Sequence, residues 1–259
     1  MIYLLRTLAT SLSLQLVFFT IAAIYKTDKF TDLSYGLTFI IITILLVTIN
    51  PSPSYPQFIL AAIIIIWGMR LAAYLLIRII KTGKDKRFDG IRENFLKFAR
   101  FWFFQAIAVW VIMFPATFAL SSRHISPNII TVALGSIVWL TGFVIETVSD
   151  NQKSKFKEKN PNGFIDSGLW KYSRHPNYFG EILIWWGIFI FSIPYLKGMT
   201  FLSIIGPLFI TFLLLRVTGI PPLEKAYDKR YGKDKKYREY KRKTSLLVPM
   251  SPKKINNIY

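Results

Sequence analysis

Residues 172–181 read Tyr-Ser-Arg-His-Pro-Asn-Tyr-Phe-Gly-Glu, and no other stretch of the chain concentrates so many groups able to do chemistry. Pro176 suits the first turn of a helix, where a missing N–H does no harm, and His175 stands where an N-cap belongs. The free N–H groups at such a helix start attract anions, and Arg174 adds a full positive charge, so the pattern reads as a phosphate seat. Asn177 and Glu181 are four apart and face one cleft with an amide and a carboxylate. Gly180 between them lets a ligand or a neighbouring helix come close. The plainer reading of the same residues is a capped helix whose arginine meets a lipid phosphate.

Other ionisable groups fall inside or at the ends of apolar stretches, where they are costly and therefore candidates for function. Arg70 lies about 20 Å along its stretch at 1.5 Å per residue. Glu146 and Asp150 share a face with Lys153 and Lys157 if their helix continues, and Arg216 ends the last apolar stretch. Tyr227, Tyr231, Tyr237 and Tyr240 punctuate a lysine- and arginine-rich tail and could stack on an adenine ring. Cysteine is absent, which excludes thiolate catalysis and thiolate metal sites. The two histidines, His124 and His175, are expected on opposite sides of the protein, so no metal is expected. No dinucleotide fingerprint, phosphate-binding P-loop or His-Glu-x-x-His motif is present.

The elements that must carry these groups are membrane spans. The 259 residues are 53% hydrophobic, with a mean hydropathy of +0.38 and a formal charge of +19. Apolar runs of about 20 residues make membrane topology, not nucleic acid, the reason for that charge. Seven spans are expected at about 3–25, 34–50, 57–80, 99–120, 128–149, 179–195 and 199–216, giving an all-α polytopic protein with one domain over residues 1–259. Arg6 and the lack of a small-residue cleavage site mark the first span as a retained helix. Of the 33 lysines and arginines, 26 fall on residues 81–100, 150–176 and 216–259. The positive-inside rule then places the N-terminus outside and the tail in the cytoplasm. Lys26, Lys29, Arg123 and Lys197 are assigned to the opposite side, and with them the start of the second span, including Asp32 and Tyr35. The basic tail is expected on anionic lipid, with no nucleic acid partner.

Residues 167–181, Ser-Gly-Leu-Trp-Lys-Tyr-Ser-Arg-His-Pro-Asn-Tyr-Phe-Gly-Glu, resemble the bacterial relatives of steroid 5α-reductase. Supporting blocks are Gly219-Ile-Pro-Pro-Leu-Glu224, Arg230-Tyr-Gly with Tyr237 and Tyr240, and residues 243–249, with weaker agreement at Trp67-Gly-Met-Arg70-Leu and Gln105. The resemblance implies a monomeric membrane reductase in the bacterial cytoplasmic membrane. It would bind NADPH from the cytoplasm and reduce a ketone-conjugated C=C bond of a hydrophobic, steroid- or isoprenoid-like substrate. It also implies that Asn177, Gly180 and Glu181 meet the nicotinamide half of the cofactor, with Arg70, Asp150 and Arg216 contributing and Tyr172, Arg174, His175 and Tyr178 in the same block. Trp67 stands where those enzymes carry a ketone-polarising tyrosine, leaving Asp32 and Tyr35 as the nearest catalytic candidates. Isoprenylcysteine methyltransferases, which use S-adenosylmethionine, share the Arg-His-Pro-x-Tyr-x-Gly pattern and are the alternative, beside a non-enzymatic lipid-binding protein.

A 2′-phosphate brings about −1.5 to −2 charges at neutral pH, and Arg174, Lys153, Lys157, Arg87 and Arg92 are the cations expected to select NADPH over NADH. The topology is directly testable in a chain without cysteine. A single cysteine in place of Lys197 is expected to react with an impermeant reagent only from outside, and one at Lys84 only from the cytoplasm. The reverse pattern overturns the assignment.

Overall fold

The computed structural model describes residues 2–123 and 128–253, so His124 lies outside the described residues. The described residues are mostly helical, without a strand, and seven helical runs are long and apolar enough to cross a membrane. The fold is therefore all-α and membrane-spanning. The chain packs into two compact units, Met1–Ala133 with Ile188–Phe209, and Leu134–Gly187 with Ile210–Tyr259.

In the first unit α1 (Ile2–Ile24) packs on α4 (Phe95–Ile112), and α2 (Thr31–Ile49) on α3 (Tyr55–Thr82). Buried glutamine, serine and threonine side chains between these helices bond to one another, which offsets the cost of removing them from water. Gln15 Nε2 donates to Thr38 Oγ1 at 2.8 Å, and Gln105 Nε2 donates to Gln15 Oε1 at 2.9 Å and Ser34 Oγ at 3.0 Å. The proline-rich turn at residues 50–56 ends in a capping box, in which Gln57 Oε1 accepts from the Ser54 N–H at 2.7 Å. Gln57 Nε2 then reaches the Ala119 carbonyl at 2.6 Å, and Asn50 Nδ2 the Leu120 carbonyl at 2.8 Å. These carbonyls lie in the last turn of α5 (Phe114–Ser121), where the Ala119 carbonyl also accepts from the Ser122 N–H at 3.3 Å.

Two expectations change here. The fourth span is not one helix: it breaks at Met113 between α4 and α5, because Pro115 has no N–H to continue the ladder. The start of α2 also does not stand opposite the loop after α3. Asp32 is ion-paired with Arg78 at 2.6 Å, and Asp28 accepts from Arg92 Nη1 and from the Asp85 N–H, both at 2.6 Å. Antiparallel packing of α2 on α3 demands this, since two spans return the chain to the side it left. Lys26, Lys29, Asp32 and Tyr35 thus lie at the end that carries residues 81–100.

In the second unit α6 (Ile129–Lys159) runs without a break past the last apolar turn. Its 31 residues span about 46 Å, more than a hydrocarbon core of about 30 Å, so its polar end projects beyond the membrane. Helix α7 (Pro176–Ser192) crosses it at glycines. A Cβ on Gly142 would fall 2.5 Å from the Gly180 carbonyl oxygen, and one on Gly180 2.6 Å from the Glu146 nitrogen. The last span starts as a 3₁₀ helix (Gly198–Ile204), becomes α8 (Ile205–Phe212), and widens to a π-helical turn (Leu213–Val217) holding Arg216. Helices α9 (Ile220–Tyr231) and α10 (Lys235–Lys243) follow, and the tail then returns to residues 171–174.

Gly142→Ala and Gly180→Ala each force backbone apart and are expected to cost about 1–3 kcal/mol, the usual range for overpacking. Thermal unfolding in detergent checks this; unchanged melting of both variants would mean that the helices do not touch there.

Candidate functional site

The turn before α7 is tied to α9 through one carboxylate. Glu224 Oε1 accepts from His175 Nε2 at 2.8 Å, Glu224 Oε2 pairs with Arg174 Nη1, and Lys241 Nζ stands 3.4 Å from the same oxygen. His175 is almost wholly buried, and its ring stacks on Tyr178 at 5.8 Å and 10°. Burial pushes the imidazole below its ordinary pKa, with help from Lys153 and Arg174 and opposition from Glu224. The ring is therefore neutral near pH 7, and Nε2–H must be the donor because a carboxylate only accepts. His175 does serve the start of α7, but by its backbone: its carbonyl accepts from the Phe179 N–H at 3.2 Å.

Segments on both sides brace this node. Ser173 Oγ donates to the Leu247 carbonyl at 2.6 Å and accepts from the His175 N–H at 3.1 Å. The Arg174 N–H donates to the Ser245 carbonyl at 2.8 Å. Gly168, at φ +62°, lies against the Gln152 amide, whose Oε1 accepts from the Leu169 N–H at 2.9 Å. That turn delivers Trp170, whose indole N–H donates to the Ser149 carbonyl at 3.0 Å. Lys153 lies 4.9 Å over the Trp170 ring.

Two polar atoms within this frame are buried and make no hydrogen bond, Arg174 Nε and Asn177 Oδ1. One is a donor beside the start of α7, and the other is an acceptor in its first turn. Each needs a partner if the burial is to be tolerated. Glu146 and Asp150 are buried on α6, where Gly180 packs against the Glu146 backbone, and Glu181 is half-buried one turn after Asn177.

The structure thus brings together Arg174, His175, Asn177 and Tyr178, with Lys153 alongside. Other expected site residues have different occupations. Lys157 donates to the Gly163 carbonyl at 2.7 Å and holds the loop after α6. Tyr237 and Tyr240 do not form an open stacking face. They pack on Phe164 at 5.2 and 5.6 Å, and their hydroxyls donate to Asp228 at 3.2 Å and to the Trp170 carbonyl at 2.8 Å. Burial raises the pKa of both, so they remain donors. Tyr172 and Arg216 are exposed. Asp32, Tyr35, Arg70 and Arg87 belong to the first unit. There Tyr35 packs edge-on to Phe39, Arg70 lies 5.4 Å over Tyr74, and Arg87 forks onto Asp85. All three guanidinium nitrogens of Arg92 meet carboxylates. Glu224, the centre of the node, was not among the expected site residues. The signal available was its i, i+4 spacing to Asp228, which aims two carboxylates along one face of α9 toward a basic tail.

A family model described as "Protein of unknown function (DUF1295)" matches residues 18–244, and the chain belongs to that family. No curated protein and no solved structure matches the chain.

Glu224→Ala leaves Arg174 and His175 without their acceptor and is expected to cost about 2–3 kcal/mol, the scale of a hydrogen bond to a charged group. A double-mutant cycle with Arg174→Ala, read by thermal unfolding, should show coupling above about 0.5 kcal/mol; additivity would mean that the pair contributes nothing. His175 adds a pH dependence. Its folded pKa lies below the unfolded value of about 6.5, so below that pH the unfolded chain binds the proton first. Stability present above about pH 6.5 is then lost as pH falls through the folded pKa. A melting curve that declines from pH 7 to pH 5, and flattens in His175→Gln, is the expected result.

Proposed function

We propose that this member of the family, which is known as steroid 5α-reductase-like, is a membrane reductase that uses NADPH to reduce a ketone-conjugated C=C bond of a hydrophobic substrate. The observation that carries the reading is the pair of buried, unpartnered atoms at the start of α7. Asn177 Oδ1 can accept only from an N–H or O–H, and Arg174 Nε can donate only to an acceptor such as a phosphate oxygen. A nicotinamide dinucleotide offers both, a carboxamide N–H and a diphosphate. The residues present therefore fit the cofactor.

Bound there, NADPH supplies the hydride, and the protein's part is to orient the cofactor and polarise the acceptor. Asn177 and Glu181 hold the carboxamide end, and Arg174 with Lys153 holds the phosphates. Asp150 and Arg216 complete the assignment that follows from the family pattern. His175 and Glu224 are positioning residues, since their bonds fix Arg174 and the first turn of α7. The positive-inside bias supports a cofactor site open to the cytoplasm.

Thermal unfolding of the purified protein with NADPH, NADH or S-adenosylmethionine tests the proposal. NADPH is expected to raise the melting temperature most. Asn177→Ala should weaken that effect by about 1 kcal/mol, roughly fivefold in affinity, as for one lost hydrogen bond. Stabilisation by S-adenosylmethionine alone would replace the reductase reading by a methyltransferase.

A further inference from the structure

The last described stretch of the chain, residues 235–253, has an outward side that neither the fold nor the candidate site uses. After α10 the tail bends on either side of an isolated bridge at Ser245, and the exposure of its residues alternates. Ser245 and Leu247 turn their carbonyls to Arg174 N–H and Ser173 Oγ, while Leu246, Val248 and Met250 are 40%, 46% and 56% exposed. The alternation leaves one side of the tail on protein and the other outward. Everything on that outward side is apolar. Beside it Tyr172 is 40% exposed, and the Met250 N–H donates to the Tyr172 carbonyl at 3.0 Å.

Helix α10, directly before this stripe in the chain, carries a row of cations. Lys235, Arg238 and Arg242 recur at i, i+3 and i+7 on α10, so they share one face; all are exposed, and they form no ion pair among the described residues. By contrast Lys236 and Lys241 are paired, with Asp166 at 3.0 Å and Asp228 at 2.6 Å. The stripe is bonded to residues 172–174, directly before Pro176, where a membrane-crossing helix begins. An apolar row preceded by a basic helix, and bonded to the turn where a span begins, matches the chemistry of an interface of acyl chains and anionic headgroups.

We propose that residues 235–250 form an interfacial lipid seat, in which Leu246, Val248 and Met250 enter the headgroup–acyl boundary and Lys235, Arg238 and Arg242 bind anionic phospholipid. The inward side of the same segment holds Ser173 and Arg174, so the lipid seat braces the turn that carries the candidate site. This rests on the geometry of the tail alone and stands or falls apart from the reductase reading.

The native chain has no cysteine, so Val248→Cys accepts a single environment-sensitive dye at an outward position. The labelled protein is placed in nanodiscs of phosphatidylcholine, with and without phosphatidylglycerol. Quenching by a lipid spin-labelled near its headgroup is expected, with little quenching by aqueous iodide. Phosphatidylglycerol should shift the emission to the blue, and Arg238→Gln with Arg242→Gln should reduce that shift severalfold while the melting temperature stays near the parent's. Iodide quenching without lipid quenching would show the stripe in water and overturn the proposal. Protection from both quenchers would show it covered by protein, a second copy or another chain, and overturn it equally. A blue shift that does not depend on phosphatidylglycerol or on the two arginines would remove the anionic lipid.

Discussion

The arrangement of the second unit depends on one carboxylate being shared. Glu224 projects from α9, and its two oxygens are divided between His175 and Arg174, neighbours in the turn that starts α7. Removing charge from water is expensive, and it is recovered only where each lone pair and each proton finds a partner. That condition is met on the carboxylate side: both oxygens are used, with Lys241 approaching one of them. It is not met on the guanidinium side, where Nε is buried and unpartnered. The node is therefore complete as a brace and incomplete as a solvation shell. A ligand oxygen is the simplest group that makes it whole.

Much of the frame was legible in the sequence, because hydrophobic runs and prolines report constraints that act locally. The seven spans and the continuation of α6 through Lys153 and Lys157 follow from side chains within a few turns of one another. What was not legible depends on the path of the chain. Assigning Asp32 and Tyr35 to the face opposite Arg78 overlooked that each span reverses the side on which the chain lies, so the ends of α2 and α3 that flank their hairpin must coincide with each other and the far ends likewise. Asp28 with Arg92 and Asp32 with Arg78 state that rule as two ion pairs. The break at Met113 was visible as Pro115, but an apolar run of the right length concealed it.

The tyrosines of the tail illustrate a different limit. Four tyrosines among lysines and arginines offer flat rings to a nucleobase as well as to one another, and sequence has no means of choosing. The loop after α6 decides the matter by inserting Phe164, around which Tyr231, Tyr237 and Tyr240 pack at 5.2–5.6 Å. Each aromatic ring buries a large apolar area and brings one hydroxyl that must be paired, and here each hydroxyl has an acceptor. The cluster is a small core that anchors α10. Lys157, with its ammonium on the Gly163 carbonyl, belongs to the same construction.

These assignments narrow what can recognise a ligand. Once Tyr237, Tyr240 and Lys157 are committed to holding the tail, the groups at the head of α7 with bonding capacity in reserve are Arg174 and Asn177. Asn177 sits on α7 and Arg174 in the turn before it, and the close contact of α7 with α6 leaves little room for adjustment, since Gly142 and Gly180 meet backbone to backbone. A site built on two helices fixed in this way is preorganised: its polar atoms do not have to be ordered when a ligand arrives, which reduces the entropy lost on binding. The same rigidity gives the node its second use. Because Ser173 and Arg174 also anchor the returning tail, any force on the tail from the membrane surface acts on the residues beside Asn177, without a moving part between them.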